Sequence, residues 1–433
     1  MKILVLNSGS STQKNCLYDL NPEQLGTSFP LEFPQEPMLQ GRGYANEPIW
    51  SGSIDWLHQP DLAECKAQGN GQKTSQKLPS SDRQGVLTQL LATLYTGETK
   101  VIEDLTAIDI VGHRVVHGGD RYSQPVLITP EVEEAIAALI PLAPAHNPAN
   151  LEGIKIIRQA LPHVPQVAVF DTAFHQTLPA AAVVYPLPYD LFQQGIRRYG
   201  FHGISHQYCS DRAAQVLGQP LENLRLINCH LGNGCSLAAV AKGVSVDTTM
   251  GFTPLEGLMM GSRSGSVDPG ILLYLSRQGY STADLDNLLH KRSGLLGISG
   301  VSSDLRRVLE AIEEGNAQAQ LALDVFIHRL SANIAALIPS LGGLDALVFT
   351  GGVGEHSPIV RQLTCDRLAF LGITIDAERN YLGNSQEQSP APKERDIATP
   401  NSAVRVLIIQ TQEDWAIAQA CWSIIKESSP RED

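Results

Sequence analysis

Two stretches of this chain read alike, and a repeat of that kind constrains the fold more than any composition does. Residues 2–19 give the apolar run ILVL, then a turn of Asn7, Ser8, Gly9, Ser10, Ser11 and Thr12, then a second extended run through Cys16 and Tyr18. Residues 224–242, LRLINCHLGNGCSLAAVAK, give a strand, a turn with Asn and Gly, and a strand again. Two copies of a strand–turn–strand element imply a duplicated domain. The first turn gathers hydroxyls and backbone N–H groups that can cradle a phosphate, with Lys14 adding charge. It also reads as an ordinary hairpin turn, and the motif alone does not decide between the two.

The 433 residues suffice for two or three domains, and 43% hydrophobic with 18% charged residues describes a globular chain. A net charge of −13 without a Lys/Arg cluster argues against a nucleic-acid partner. An anionic ligand must then be met by individual cations. The seven cysteines are scattered without a C-x-x-C pair, which points to free thiols in a reducing compartment. MKILVL is too short for a signal-peptide core, and no uninterrupted apolar run reaches membrane-spanning length. A cytoplasmic protein with no membrane partner is expected.

Two arginines outside any basic cluster stand out. Arg114 lies inside the apolar run of IDIVGHRVVHGGDRY, where a cation is costly unless it meets an acidic partner or an anionic ligand. Arg263 is the single arginine of residues 248–270, TTMGFTPLEGLMMGSRSGSVDPG, which glycine and proline keep from any helical or strand period. Such an apolar segment must still find partners for its backbone groups. It reads either as an ordered loop presenting Arg263 to a ligand or as a buried connection with a structural arginine.

Asp171 directly follows the apolar strand VAVF, at the end where α/β sheets line a ligand crevice, although capping is an equal explanation. His202 and His206 in RRYGFHGISH lack a third ligand at a metal-site spacing, so one meets a phosphoryl group or both are structural. LDALVFTGGVGEH sets Gly351, Gly352 and Gly354 between a strand and a helix, where a flat ring or phosphate can approach closely. Helices are expected at 86–95, 130–140 and 151–161 and over most of 311–339. A polar linker is expected at 68–82 and a polar insert at 383–403. After a strand at 405–410, Thr411 would cap a final helix with Asp414 as its capping-box acid. The combination is an inventory for ATP held between two domains with phosphoryl transfer to an anionic substrate.

The sequence resembles the acetate kinases over nearly its whole length, least at 35–85 and 383–403. The resemblance rests on N-S-G-S-S from Asn7, GHRVVHGG from Gly112, HNPANLEGI from His146 and VFDTAFHQTLP from Val169. It continues with RRYGFHGISH from Arg197, HLGNG from His230 and GFTPLEGLMMGSRSG from Gly251. It implies an α/β chain with a duplicated actin-like ATPase (ribonuclease H-like) fold and a cleft between two domains. The expected division is 1–171 completed by 414–433, and 172–413. It further implies a homodimer that transfers phosphate reversibly between ATP and acetate, giving ADP and acetyl phosphate, with Mg²⁺ or Mn²⁺. Carried onto this sequence, Arg114, Arg263, Asp171 and His202 become catalytic. Arg114, Val116, Phe201 and Pro254 bind the acyl substrate, and Asn7 and Glu413 serve the metal. Ser10, Thr12, Lys14, His230, Asn233, Gly234, Asp304, Arg306, Gly352 and Val353 bind the nucleotide.

Several positions depart from the family pattern. Asp120 stands where Glu is usual, Ser266 where Asp is common, and Gln412 where Asn precedes the metal-site Glu413. Gly351 and His356 alter the T-A-G-x-G-E-N turn, and Ala145 replaces a Leu that walls the acyl pocket. The smaller Ala145 predicts more room for propionate. Competing readings are a propionate or other short-chain acyl kinase of the same family and an ATP-dependent switch protein of the actin or chaperone type. A sugar kinase fits less well, since that branch has an Asp where this chain has Asn7.

Overall fold

Ile3, Leu4, Val5 and Leu6 are all at most 1% exposed because β1 (Lys2–Ser8) runs through the middle of an eight-stranded sheet. The computed structural model describes residues 1–9, 12–20, 47–59, 62–382 and 394–428. It divides into one unit of Met1–Ala173 with Gln412–Asp433 and a second of Phe174–Thr411.

The first unit contains β1, β2 (Thr12–Asp19), β3 (Trp50–Gln59), β4 (Leu62–Gly69), β5 (Gln72–Pro79), β6 (Ile110–Val115), β7 (Val126–Leu127) and β8 (Gln166–Phe170). Their order across the sheet is β5-β4-β3-β2-β1-β6-β8-β7. The second unit contains β9 (Arg225–Leu231), β10 (Cys235–Ala241), β11 (Val244–Thr248), β12 (Ala346–Thr350), β13 (Arg395–Asp396) and β14 (Arg405–Ile408), in the order β11-β10-β9-β12-β14-β13.

The two sheets share a plan. β1 pairs antiparallel with β2 and parallel with β6, which pairs parallel with β8. β9 pairs antiparallel with β10 and parallel with β12, which pairs parallel with β14. The duplication read from residues 2–19 and 224–242 is therefore present in the topology of a mixed α/β chain. β8 and β12 are buried along their whole length, as expected for parallel strands covered on both faces.

The expected linker at 68–82 is instead a hairpin. Residues 72–79 form β5, paired antiparallel with β4 through a turn in which Asn70 and Gly71 both have positive φ, 49° and 71°. Asn-Gly at such a turn is the local hairpin signal. The strand is polar because it lies at the sheet edge with most of its side chains exposed. The helix expected from residue 151 begins a turn earlier, as Asn147–Ala160, with proline tolerated in the first turn.

Ala317–Leu341 is long and apolar enough to cross a membrane, with a mean hydropathy of 1.5. It carries Asp324, His328 and Arg329, while Leu323, Phe326, Ile327, Leu330 and Ile334 are buried. It is a partly buried core helix of the second unit.

Candidate active site

In the first unit, neighbouring parallel strands bring Arg114 and Asp171 together. Val115 pairs with Phe170, so Asp171 emerges beside Arg114, and its N–H donates to the Val115 carbonyl at 3.0 Å. Arg114 Nε donates to Asp171 Oδ1 at 3.0 Å, and Nη2 donates to Oδ2 at 2.5 Å. Arg114 Nη1 reaches Asn7 Oδ1 at 3.3 Å, while Asn7 Nδ2 donates to Asp414 Oδ1 at 2.8 Å and to Glu413 Oε2 at 3.3 Å. Arg114 thus has its acidic partner, although the cluster holds more acid than one arginine balances. Burial opposes the Arg114 charge, but Asp171 and Glu413 more than offset it and hold the guanidinium pKa above its usual value. Burial raises the Asp414 carboxyl, and Glu413 adds to the effect.

The expected capping box at the last helix does not form. The Asp414 carboxylate is taken by Asn7 and by Cys16 Sγ at 3.7 Å, and the Thr411 hydroxyl bonds Ser205 Oγ at 2.9 Å. Both side chains serve partners distant in sequence, which local capping rules do not register.

The donor set fits a hard divalent cation. Asn7, Glu413, Asp414 and Asp171 are oxygen-bearing side chains in a region of excess negative charge. Among the described residues, no three His, Cys, Asp or Glu side chains converge as a closed metal cage. That suits Mg²⁺, which usually takes one or two carboxylates and completes its shell with water and substrate phosphates.

The second unit gathers His202, His230, Gly234 and Arg263. The turn from β9 to β10 is closed by Gly232 N–H donating to the Gly234 carbonyl at 3.1 Å. A β-carbon built on Gly234 would lie 3.5 Å from His202 Nε2 and 3.6 Å from Arg263 Nη1, so both groups flank this turn. The His202 and His230 rings stack at 4.2 Å. His202 itself has a positive φ of 57°, rare for a side-chain-bearing residue, at the start of the helix Gly203–Leu217.

Residues 248–270 are an ordered loop. Met250, Leu258, Met259 and Met260 are buried, and Gly261 N–H donates to the Asn233 carbonyl at 3.2 Å. Ser266 closes the loop. Its Oγ accepts from Gly257 N–H at 3.0 Å, its own N–H donates to the Gly257 carbonyl at 3.0 Å, and Arg329 bonds its carbonyl. Gly265 has φ +67°, and a β-carbon there would be 2.3 Å from the Leu258 carbonyl oxygen, so only glycine fits.

Arg263 Nη1 donates to the Pro254 carbonyl at 3.2 Å, and among the described residues no carboxylate pairs with it. Burial pulls its pKa down, partly countered by Cys235.

The nucleotide candidates are partly assembled. Gly351 has φ +75°, and a β-carbon there would lie 2.7 Å from the Leu231 carbonyl oxygen, which accounts for glycine at this departure from the family turn. The glycines open the helix Gly351–His356 directly, and Gly352 faces open space. Asp304 caps the helix Leu305–Glu313 and pairs with Arg306 at 2.6 Å, so these two satisfy each other. Thr12 and Lys14 are exposed on β2, and Ser10 lies outside the described residues. Val116 and Phe201 are buried in their respective units.

Residues that sequence reasoning missed are Ser205, Ser236 and Glu355. Ser236 Oγ meets both His202 Nδ1 at 2.9 Å and His206 Nε2 at 2.7 Å. Ser205 Oγ bonds His230 Nδ1 at 2.8 Å. Glu355 Oε1 accepts from Gly351 N–H at 2.9 Å and Thr411 N–H at 3.0 Å. The available signal was a polar residue in the otherwise apolar strand CSLAAVA.

The model of the acetokinase family matches residues 2–419. The acetate kinase of Cyanothece sp. is 54% identical over 431 residues, covering 99% of this chain and 100% of that protein. The acetate kinase of Nostoc punctiforme is 56% identical over 428 residues, 98% of this chain and 100% of that protein. The crystal structure of Porphyromonas gingivalis acetate kinase superposes with a TM-score of 0.83 at 40% identity, covering 98% of this chain and 99% of that one. A propionate kinase from Francisella tularensis superposes with the same TM-score of 0.83 at 38% identity, with 98% and 99% coverage.

Proposed function

The chain belongs to the acetokinase family and has acetate kinase function, and from that premise we propose how its residues divide the work. An acetate oxygen attacks the γ-phosphorus of ATP in line. The new C–O–P bond forms as the bond to the β–γ bridging oxygen breaks, and ADP leaves. Acetate is already ionised at neutral pH, so no general base is required. The barrier lies in bringing two anions together, which is work for fixed positive groups and hydrogen-bond donors.

The observation that carries this division is Arg263, a largely buried guanidinium flanking the phosphate turn with no carboxylate partner among the described residues. A buried cation in that condition is matched to an anion that arrives with the substrate. His202 Nε2, flanking the same Gly234, acts on the same phosphoryl group. Arg114, held charged by Asp171, binds the acyl phosphate oxygens, with Val116, Phe201 and Pro254 against the acyl methyl. Asp171 thereby acts as a positioning carboxylate and not as a proton acceptor. His230, Asn233 and Gly234 take nucleotide phosphates together with Thr12 and Lys14, and Asp304, Arg306, Gly352 and Val353 take adenosine. Asn7 and Glu413 would hold Mg²⁺, or Mn²⁺ in its place, with Asp414 and Asp171 beside them. When bound, the metal offsets phosphate charge.

The enzyme acts in the cytoplasm as a homodimer. Support for the dimer comes from the helix Pro269–Arg277, which buries no residue and exposes Ile271, Leu273 and Tyr274 at 47, 60 and 59%. A second acyl preference, propionate, is favoured by Ala145. It is exposed on a groove shared with Arg83, Glu152 and Lys155, and carries three fewer carbons than the family Leu.

Trapping the product with hydroxylamine while offering acetate, propionate and butyrate tests the reading. Acetohydroxamate formed in step with ADP is expected. ADP release without hydroxamate would overturn it in favour of an ATP-driven switch.

A further inference from the structure

The reading above gives His202 a role at the phosphoryl group, and the histidines behind it carry a further consequence. We propose that His206 and Ser236 form a fixed hydrogen-bond relay that sets the tautomer of His202, so that neutral His202 presents Nε2–H to the phosphoryl oxygens.

His206 lies one helical turn after His202 and is fully buried. Its Nε2 is 2.7 Å from Ser236 Oγ, while its buried Nδ1 has no hydrogen-bond partner among the described residues. Ser236, also fully buried, places the same oxygen 2.9 Å from His202 Nδ1. One hydroxyl between two imidazoles can donate to only one of them and must accept from the other.

The orphaned Nδ1 decides the direction. A proton there would be a buried N–H without an acceptor, which is costlier than leaving a ring lone pair unfilled. His206 also stays neutral, because burial pushes its pKa well below the usual range and His175 and His230 add to the effect. Its single proton therefore sits on Nε2 and is donated to Ser236 Oγ. The Ser236 hydroxyl is then committed to donating to His202 Nδ1. That leaves the His202 proton on Nε2, the atom flanking Gly234 beside Arg263 Nη1.

The neighbours are consistent with this order. His175 uses its own two nitrogens on Ser245 Oγ at 2.8 Å and the Phe201 carbonyl at 3.1 Å, so it does not compete for Ser236. Asn228 Nδ2 and Ser210 Oγ both bond the His206 carbonyl, which anchors its backbone. His206 and Ser236 are positioning residues, acting on substrate only through His202. No proton changes owner during turnover; the relay fixes where one resides.

The test is ¹⁵N-imidazole NMR on the intact enzyme, with the His202 signals assigned by their loss in His202→Gln. The wild type is expected to show His202 protonated at Nε2 and unprotonated at Nδ1. Nδ1–H in the wild type overturns the proposal. This readout needs no turnover, so it can fail while the role of His202 in phosphoryl transfer stands. His206→Leu, which removes the donor to Ser236, should release His202 into a mixture of tautomers. It should lower kcat about tenfold with KM for ATP nearly unmoved, as for one lost transition-state donor. His206→Gln places an amide N–H near the position of Nε2 and should recover most of that loss together with the Nε2–H tautomer. Leu and Gln variants with equal turnover and an unmoved His202 tautomer would also overturn it.

Discussion

Arg114 donates to Asp171 through two nitrogens, Nε and Nη2, and the carboxylate that receives them is 1% exposed. Such a pair is stable because both charges are matched, and removing either partner strands the other. Asp171→Ala should therefore cost about 3–5 kcal/mol of stability, read as a lower urea midpoint. Replacing both, as Arg114→Met with Asp171→Leu, should cost less than the single change, since no unpaired charge remains. A double variant less stable than Asp171→Ala would contradict this account. Arg114→Lys should not restore turnover, because an ammonium cannot reproduce the two-nitrogen fork.

Arg263 differs from Arg114 in having no carboxylate partner among the described residues. Its removal should spare folding and nucleotide binding while turnover collapses. By analogy with arginine fingers, Arg263→Ala should lose on the order of 10³-fold in acyl phosphate formation. Hydroxylamine trapping and calorimetric ADP titration measure the two halves separately. Near-normal turnover would remove Arg263 from the reaction.

Acid should unfold this protein by way of its buried histidines. Burial pushes His113, His117 and His175 down to about 4. In the unfolded chain each binds a proton near pH 6.5. Between about pH 6.5 and 4 the unfolded state therefore holds more protons, so stability falls as pH falls, by up to about 1.4 kcal/mol per pH unit for each histidine. Urea midpoints at pH 7, 6 and 5 should decline, with the decline reduced in His113→Gln. A flat profile over that window would refute the assignment.

Much of this was legible in the sequence because it is carried by local pattern. The strand–turn–strand repeat, the strand ends at Arg114 and Asp171, and the glycine turn at 351–354 all show in short windows. The order of residues 248–270 could be inferred from its composition, yet not the closing role of Ser266, whose partner Gly257 is set by loop geometry. The hairpin at 68–82 was missed because polar edge-strand residues outweighed the Asn70-Gly71 signal. Thr411 and Asp414 match a capping box in sequence, but partners more than 200 residues away claim their side chains. Long-range hydrogen bonds of this kind leave no periodic trace, and Ser236 between two histidines is the same case.

Ala145 offers a test of acyl selectivity. Each methylene accommodated is worth about 0.8 kcal/mol, roughly fourfold in preference. Ala145→Leu should shift relative kcat/KM from propionate toward acetate by about that factor or more. An unchanged ratio would separate Ala145 from the acyl site.

The helix Pro269–Arg277 presents Ile271, Leu273 and Tyr274 outward and buries none of its residues. Tyr280, 43% exposed, follows it. A cluster of large apolar side chains in this state loses free energy in water unless covered, at about 25 cal/mol per Å². A second copy of the chain is the simplest cover, since a two-fold interface uses the same patch twice. Leu273→Glu with Tyr274→Glu would place charges of like sign opposite each other in such an interface without disturbing any buried contact. Sedimentation velocity should then show a dimer for the wild type and a monomer for the double variant, with the urea midpoint of the monomer unit little changed at matched concentration. Persistence of the dimer would move the interface elsewhere and leave this helix free for a different partner.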